Sequence, residues 1–345
     1  MFKDLIGNGP IKDVLRRFVS HRRVPNSLIF AGDEGVGKRQ FALELAKALI
    51  CLEPTDGEAC DVCAACRRAD RFTLPKSDDK DAHERVQWSD HPDVGTVIPY
   101  NRNILVKAVR HLETEANFRP YEARSRFFII DDADKMNDSA SNALLKTLEE
   151  PPATSHIFLI CSRPDSMLAT IRSRCQLLRF APVESVEIER YLISERAFSH
   201  DEARLAASLA HGSVGRAVSI NVEQMRKRRE KMLGVVSEAI GSGDWAALLR
   251  SAEEINDAKN KDHFEEYMDI LQSLVHDIWS IGVSGDPKRI VNTDLAPILS
   301  ELARNSNRSD LSKWLADIDT VRQNLIVNIN RKVATDAMFV SMAGS

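Results

Sequence analysis

Short apolar runs and helical stripes alternate along the first half of the chain. Residues 27–32 form a continuous apolar run closed by Gly32, the pattern of a buried strand entering a loop. The next segment, 39–52, changes period, and Phe41, Leu45, Ala48 and Leu49 fall on one helical face. Residues 126–134 and 156–164 repeat the strand pattern. Between them, 139–152 predicts a helix stopped by Pro151 and Pro152, because proline lacks an N–H and clashes with the preceding turn. Strands separated by helices predict a parallel sheet covered by helices. Strand signals stop near residue 183. The remainder reads as helices, with turns expected at 241–244, 284–287 and 305–310. The most polar stretch, 74–93, is expected to be a surface loop or insertion, and no internal repeat is visible.

Length and composition sharpen this picture. At 345 residues the chain exceeds one ordinary core, so several domains are expected. The divisions fall near 180 and 222: an α/β domain over 1–180, short helices over 181–222, and a helical domain over 223–345. Lys and Arg total 47 against 51 Asp and Glu, so any nucleic-acid contact must come from local patches rather than bulk charge. The basic run at 226–231 could form such a patch, although a solvated helix face is the favoured reading, and the run at 21–23 is similarly ambiguous. No apolar run reaches membrane-spanning length and no signal-peptide pattern opens the chain, which predicts a cytoplasmic protein.

The loop between the first strand and its helix has the spacing of a phosphate cradle. Gly32, Asp33, Glu34, Gly35, Val36, Gly37 and Lys38 supply a glycine-rich turn, backbone N–H groups and a cation at a helix N-terminus. The following position carries Arg39, where a Ser or Thr hydroxyl would hold Mg²⁺. A guanidinium repels that ion, so the cradle either binds nucleotide without the metal or is a relic. Asp131 and Asp132 end the second buried strand, where carboxylates can hold Mg²⁺ or polarise water. Asp132 stands where Glu is usual and is one methylene shorter. The alternative is a solvated acidic turn, and the cradle upstream favours the functional role.

Four of the six cysteines cluster as Cys51-x8-Cys60-x2-Cys63-x2-Cys66. Four thiolates at x2 spacings can wrap a tetrahedral Zn²⁺ and leave no open position, so the site is expected to be structural. Buried or oxidised cysteines are the alternative. Cys161 and Cys175 stand apart and are expected to be core thiols.

In order, the segments GDEGVGKR (32–39), the cysteine cluster, NALLKTLEEPP (142–152), SRC (173–175) and GSVGRAV (212–218) resemble the clamp-loader branch of the AAA+ ATPases. The resemblance is strong to about residue 220 and afterwards rests on helical content. It implies a RecA-like P-loop α/β domain, a small helical lid and an all-α collar. By the same resemblance, Arg174 is an arginine finger offered to ATP on a neighbouring subunit. Ser162 takes the sensor 1 place, where Thr or Asn is more usual, and Arg216 the sensor 2 place. The implied partners are gamma/tau and delta subunits of the DNA polymerase III loader in a hetero-pentamer, the sliding clamp and primed DNA. Structural Zn²⁺ and ATP are the implied cofactors, with Mg²⁺ disfavoured by Arg39. The departures at Arg39 and Asp132, with Arg174 retained, predict a stator with weak or absent intrinsic ATPase activity. The length, with no long C-terminal extension, agrees. A gamma/tau-type motor, a free-standing AAA+ ATPase and a purely structural docking protein are the competing expectations.

Overall fold

The computed structural model describes residues 1–257, 263–284, 290–326 and 330–343. Its first half is built on a six-stranded sheet in the order β2-β3-β4-β5-β1-β6. The strands are β1 (Ser27–Ala31), β2 (Gln87–Trp88), β3 (Val94–Val97), β4 (Arg126–Ile130), β5 (Ser155–Cys161) and β6 (Gln176–Arg179). Only the β2–β3 pair is antiparallel, and the other neighbours run parallel. The connecting helices are α1 (Gly9–His21), α2 (Lys38–Ile50), α3 (Ala64–Ala69), α4 (Lys80–His83), α5 (Val106–Ala116), α6 (Asp138–Glu149) and α7 (Ala169–Arg172).

Two apolar layers follow from the two-residue period of the strands. Leu28, Phe30, Phe127, Ile129 and Phe158 face a layer shared with Leu15 of α1 and Phe41 and Leu45 of α2. Ile29, Ala31, Phe128 and Ile130 face the other, with Leu112 of α5 and Leu144 of α6. The Asn137 side chain caps α6 by accepting the Ala140 N–H at 2.9 Å, and the helix ends just before Pro151. The expected P-loop α/β architecture is therefore present, with strands one to four residues shorter at their loop ends than the apolar runs suggested.

The stretch 74–93 corrects the expectation of a surface loop. It carries α4, β2 and the buried polar residues His83, Ser89, His91 and Asp93. Asp93 accepts backbone N–H bonds from Tyr121, Glu122 and Ala123 at 2.8 Å each, and Arg126 lies 3.6 Å away with its guanidinium over the Trp88 ring. Only the second half departs from that expectation: Lys76 to Asp81 are exposed as expected of a surface segment, whereas His83, Ser89, His91 and Asp93 are buried polar residues.

The remainder is helical: α8 (Ser185–Arg196), α9 (His200–Leu209), α10 (Val214–Ser219), α11 (Val222–Ile240), α12 (Trp245–Asn256), α13 (Phe264–Ser284), α14 (Ala296–Asn305), α15 (Arg308–Ile326) and α16 (Arg331–Ala343). Around α13 pack α11, α14 and α15, and α12 lies on α16. A turn occurs at 241–244 as expected; the turn expected at 305–310 is confined to 306–307, with 308–310 already in α15, and most of the turn expected at 284–287 lies outside the described residues. The chain divides into two compact units, Met1–Glu187 with Gly212–Gly215, and Ile188–His211 with Arg216–Ser345. No helix among the described residues is long and apolar enough to cross a membrane.

Candidate phosphate loop and cysteine centre

Because the strands are parallel, β1, β4 and β5 deliver their following loops to one edge of the sheet. The phosphate loop follows β1, Asp131 follows β4 and Ser162 follows β5, and β5 lies between β4 and β1. Gly35 and Gly37 hold φ of 78° and 96°, which glycine adopts without a Cβ penalty. Gly32 is closely packed, since a Cβ there would lie 2.6 Å from the Phe180 carbonyl oxygen. The loop is also closed on its outer side, where the Gly215 N–H donates to the Gly35 carbonyl at 2.9 Å.

Lys38 opens α2 and is buried. Its ammonium donates to the loop's own carbonyls, Gly32 O at 2.7 Å and Asp33 O at 2.6 Å, and lies 3.4 Å from the Ser162 hydroxyl. Burial pushes its pKa down despite the nearby acidic groups. A phosphate entering the cradle would take over the donors now turned onto those carbonyls.

Arg39 has a partner that the linear pattern did not show. Its Nε lies 3.5 Å from Asp131 Oδ2. Burial pushes the Asp131 carboxyl up, and the Arg39 charge works in the opposite direction. The neighbouring Asp132 adopts a left-handed backbone, φ 50°, and its carboxylate pairs with Lys135 at 2.7 Å. Each acid at the strand end thus has a cation from the protein itself. The buried Asp134 accepts the Ser162 N–H at 3.2 Å and so ties the β4 loop to the β5 loop. Sequence spacing identified neither Lys135 nor Asp134 as part of this site. The only available signal was their closeness to Asp131 along the chain. The arrangement fits phosphate. It does not fit Mg²⁺, because a guanidinium stands beside the carboxylate that would hold the ion.

Arg174 lies elsewhere. It precedes β6, whose Gln176 pairs in register with Leu28 near the start of β1. Arg174 therefore sits at the edge where strands begin, opposite the phosphate loop. Its guanidinium reaches Glu149 at 2.7 Å and the Thr170 carbonyl at 2.9 Å, and it remains about one-third exposed, 33%. Arg216, in the second unit, donates to Asp269 of α13. Asp269 also takes Arg322 at 2.5 Å and His211 at 3.1 Å. Burial alone would raise its pKa, but these donors and charges hold it below the usual carboxylate range. In the basic run 226–231, Arg226, Lys227, Arg228, Arg229 and Lys231 all pair with carboxylates; Arg226 and Lys227 are exposed, whereas Arg228, Arg229 and Lys231 are partly buried, so the run is only in part a solvated helix face.

The four cysteines converge. Cys51 follows α2, Cys63 caps α3 and Cys66 lies on its first turns. One sulfur from each of Cys51, Cys60, Cys63 and Cys66 lies within 4.8 Å of all the others. N–H groups of Cys60, Cys63 and Cys66 point at the sulfurs of Cys51, Cys60 and Cys63 at 3.3, 3.3 and 3.4 Å. Burial raises the Cys63 thiol, but the N–H groups of Cys66 and Leu52 outweigh it and bring the pKa down to about 6. Thiolates gathered and hydrogen-bonded in this way fit a tetrahedral metal such as Zn²⁺. Lys47 anchors the module to α2, with its buried ammonium 2.8 Å from Glu44, 2.8 Å from Asp61 and 2.9 Å from Asp70. Cys161 and Cys175 are as expected for core thiols, with burial pushing each up to about 12.

Comparison with known proteins matches two family models to the chain. One, described as DNA polymerase III, delta subunit, spans residues 7–184. The other, described as DNA polymerase III, delta subunit, C terminal, spans 223–337. The DNA polymerase III subunit delta' of Escherichia coli K12 is 28% identical over 312 residues, covering 89% of this chain and 86% of the relative. That of Bacillus subtilis 168 is 27% identical over 321 residues, covering 93% and 91%. The DNA polymerase III subunit tau of Escherichia coli K12 is 24% identical over 357 residues, covering 97% of this chain and 52% of the relative.

Proposed function

The chain belongs to the family of DNA polymerase III delta subunits, and on that premise we propose that it serves the clamp loader as a delta-prime-type stator. It donates an arginine finger to a neighbour and does not itself hydrolyse ATP. The pairing of Arg39 with Asp131 at 3.5 Å carries this proposal. A guanidinium takes the metal's place beside Asp131, and Lys135 engages Asp132, so neither acid at the end of β4 is free to hold metal or position water.

Gly32 to Arg39 and Ser162 form a cradle that holds phosphate without Mg²⁺. Arg174 faces away from that cradle, at the opposite sheet edge, so the phosphoryl group it serves is on another subunit. A guanidinium in that position stabilises charge on the transferring phosphoryl oxygens. Its bond to Glu149 is a half-exposed surface pair, weak enough to exchange for a phosphate. Arg216 acts as sensor 2 by leaving Asp269 for nucleotide. The cysteine centre holds a structural Zn²⁺. Residues 181–222 serve as the lid and 223–345 as the collar that joins gamma/tau and delta subunits. The assembled loader acts on the sliding clamp and primed DNA.

ATP turnover by the isolated chain is the test. No Mg²⁺-dependent hydrolysis above a Lys38→Ala control is expected, and sustained turnover would make the chain a motor subunit.

A further inference from the structure

At the edge where the strands begin, away from the phosphate loop, lies a cleft of about 640 Å³. Its walls are the end of α1, the turn after α2 and the loop leading into β4. Leu49 and Phe127 contribute to its apolar lining, and Leu52 stands on the rim with 72% of its surface exposed. Three arginines line the opening: Arg22, Arg23 and Arg124, all exposed. None of them forms an ion pair among the described residues. The nearby Glu122 does not compensate them, because its carboxylate is engaged bidentately by Arg68. The turn that presents Arg22 and Arg23 is fixed, since their N–H groups bond to the Val19 and Phe18 carbonyls at 3.1 Å each. This chain carries a net charge of −4, so three uncompensated cations around one apolar cleft are a local feature.

We propose that this cleft is a docking site for an acidic peptide segment that inserts an apolar side chain. Charge and shape select that occupant. Guanidinium groups take carboxylates in a bidentate geometry, and an apolar lining rewards one buried side chain. Single-stranded nucleic acid fits less well, because it calls for open aromatic faces on which bases stack, and duplex phosphates would leave the apolar lining unused. Phe127 is buried and its ring is already covered by His156, at 5.2 Å between centroids and 10° between planes. Burial holds the His156 pKa below its ordinary value, so it adds no cation at neutral pH. The site is independent of the stator role, since no residue of the phosphate loop and no part of the SRC segment lines it.

Fluorescence anisotropy on the full chain at low salt tests the proposal. The probes are labelled eight-residue peptides of Asp and Glu interrupted by one Leu or Phe, matched peptides with Ser at that position, and a twelve-residue oligo-dT. Wild type should bind the apolar-bearing acidic peptides. Replacing Arg22, Arg23 and Arg124 together by Ser should weaken them about tenfold or more, as expected for several charge-assisted contacts. Leu52→Ser should narrow the preference for Leu or Phe over Ser. All four positions are exposed, and matching thermal melts establish that the variants fold. Failure of every acidic peptide to bind, or equal binding by the triple variant, overturns the proposal. Tighter binding of oligo-dT, lost in the same triple variant, also overturns it and makes the cleft a nucleic-acid site.

Discussion

Arg39 Nε and Asp131 Oδ2 lie 3.5 Å apart, so the carboxylate at the end of β4 faces a cation supplied by the first turn of α2. A bound metal would have to displace a covalently tethered charge. Nucleotide affinity should therefore be indifferent to Mg²⁺ in wild type. In Arg39→Thr, which removes the guanidinium and restores a hydroxyl, Mg²⁺ should strengthen binding by roughly tenfold. Calorimetric titration of ATP with and without the ion reads both. A strong Mg²⁺ requirement in wild type would contradict the pairing as a metal substitute.

The finger proposal makes a separate demand. In a reconstituted loader, Arg174→Ala should slow the single site it serves by on the order of 10³, the scale of arginine fingers elsewhere. Arg174→Lys should rescue little of that loss, since an ammonium lacks the planar fork. Glu149→Gln, which removes only an exposed partner of Arg174, should leave turnover close to wild type. Unaltered single-turnover hydrolysis in Arg174→Ala would refute the assignment.

Zinc should be present at one ion per chain and should leave when Cys63 or Cys66 becomes Ser. Ala59, Ala65, Cys66 and Ala69 sit in the same apolar cluster as Phe41 and Leu45, so losing the metal should loosen α2 as well as the module. Thermal melts before and after chelation should fall by several degrees, because metal binding in such modules is linked directly to folding. Metal analysis showing four reduced, metal-free cysteines in native protein would remove the site.

Asp269 gives a pH-dependent prediction. Its folded pKa lies below the unfolded value, so its contribution is complete above the unfolded pKa and fades as pH falls through the folded one. Asp269→Asn should cost on the order of 2 kcal/mol at neutral pH, because Arg216 and Arg322 lose a shared, buried carboxylate. The stability gap between the two proteins should narrow once pH drops below about 4, where the unfolded carboxyl protonates. A gap that persists unchanged at pH 2 would show that the charge of Asp269 is not the source.

Local spacing carried most of the site into view. The glycines, Lys38 and the four cysteines act within short segments, so their chemistry is legible without a fold. Arg39 was legible as a departure but not as the partner of Asp131, because that contact joins α2 to the end of a strand ninety-two residues later. The short helix α4 and strand β2 were hidden in the polar stretch 74–93. Hydropathy cannot distinguish a solvated Asp from Asp93, which is buried and satisfied by three backbone N–H groups. Helix α1 was not singled out because charged residues interrupt its apolar face, and strand β3 because it is only 4 residues long.

A parallel sheet has unlike rims, and here they are unequally equipped. One rim holds the phosphate cradle, closed internally by Lys38, Arg39 and the Gly215 N–H. The other carries Arg174, preceding the strand that pairs with the start of β1. In a row of such protomers stacked rim to rim, each receives on one side and gives on the other. On the stator proposal, a member whose cradle holds phosphate without metal would give a finger and call for none, so it would have a direction and belong at a terminus. Such a piece would let a row of otherwise similar subunits have an end, and therefore a gap, rather than closing into a symmetric ring.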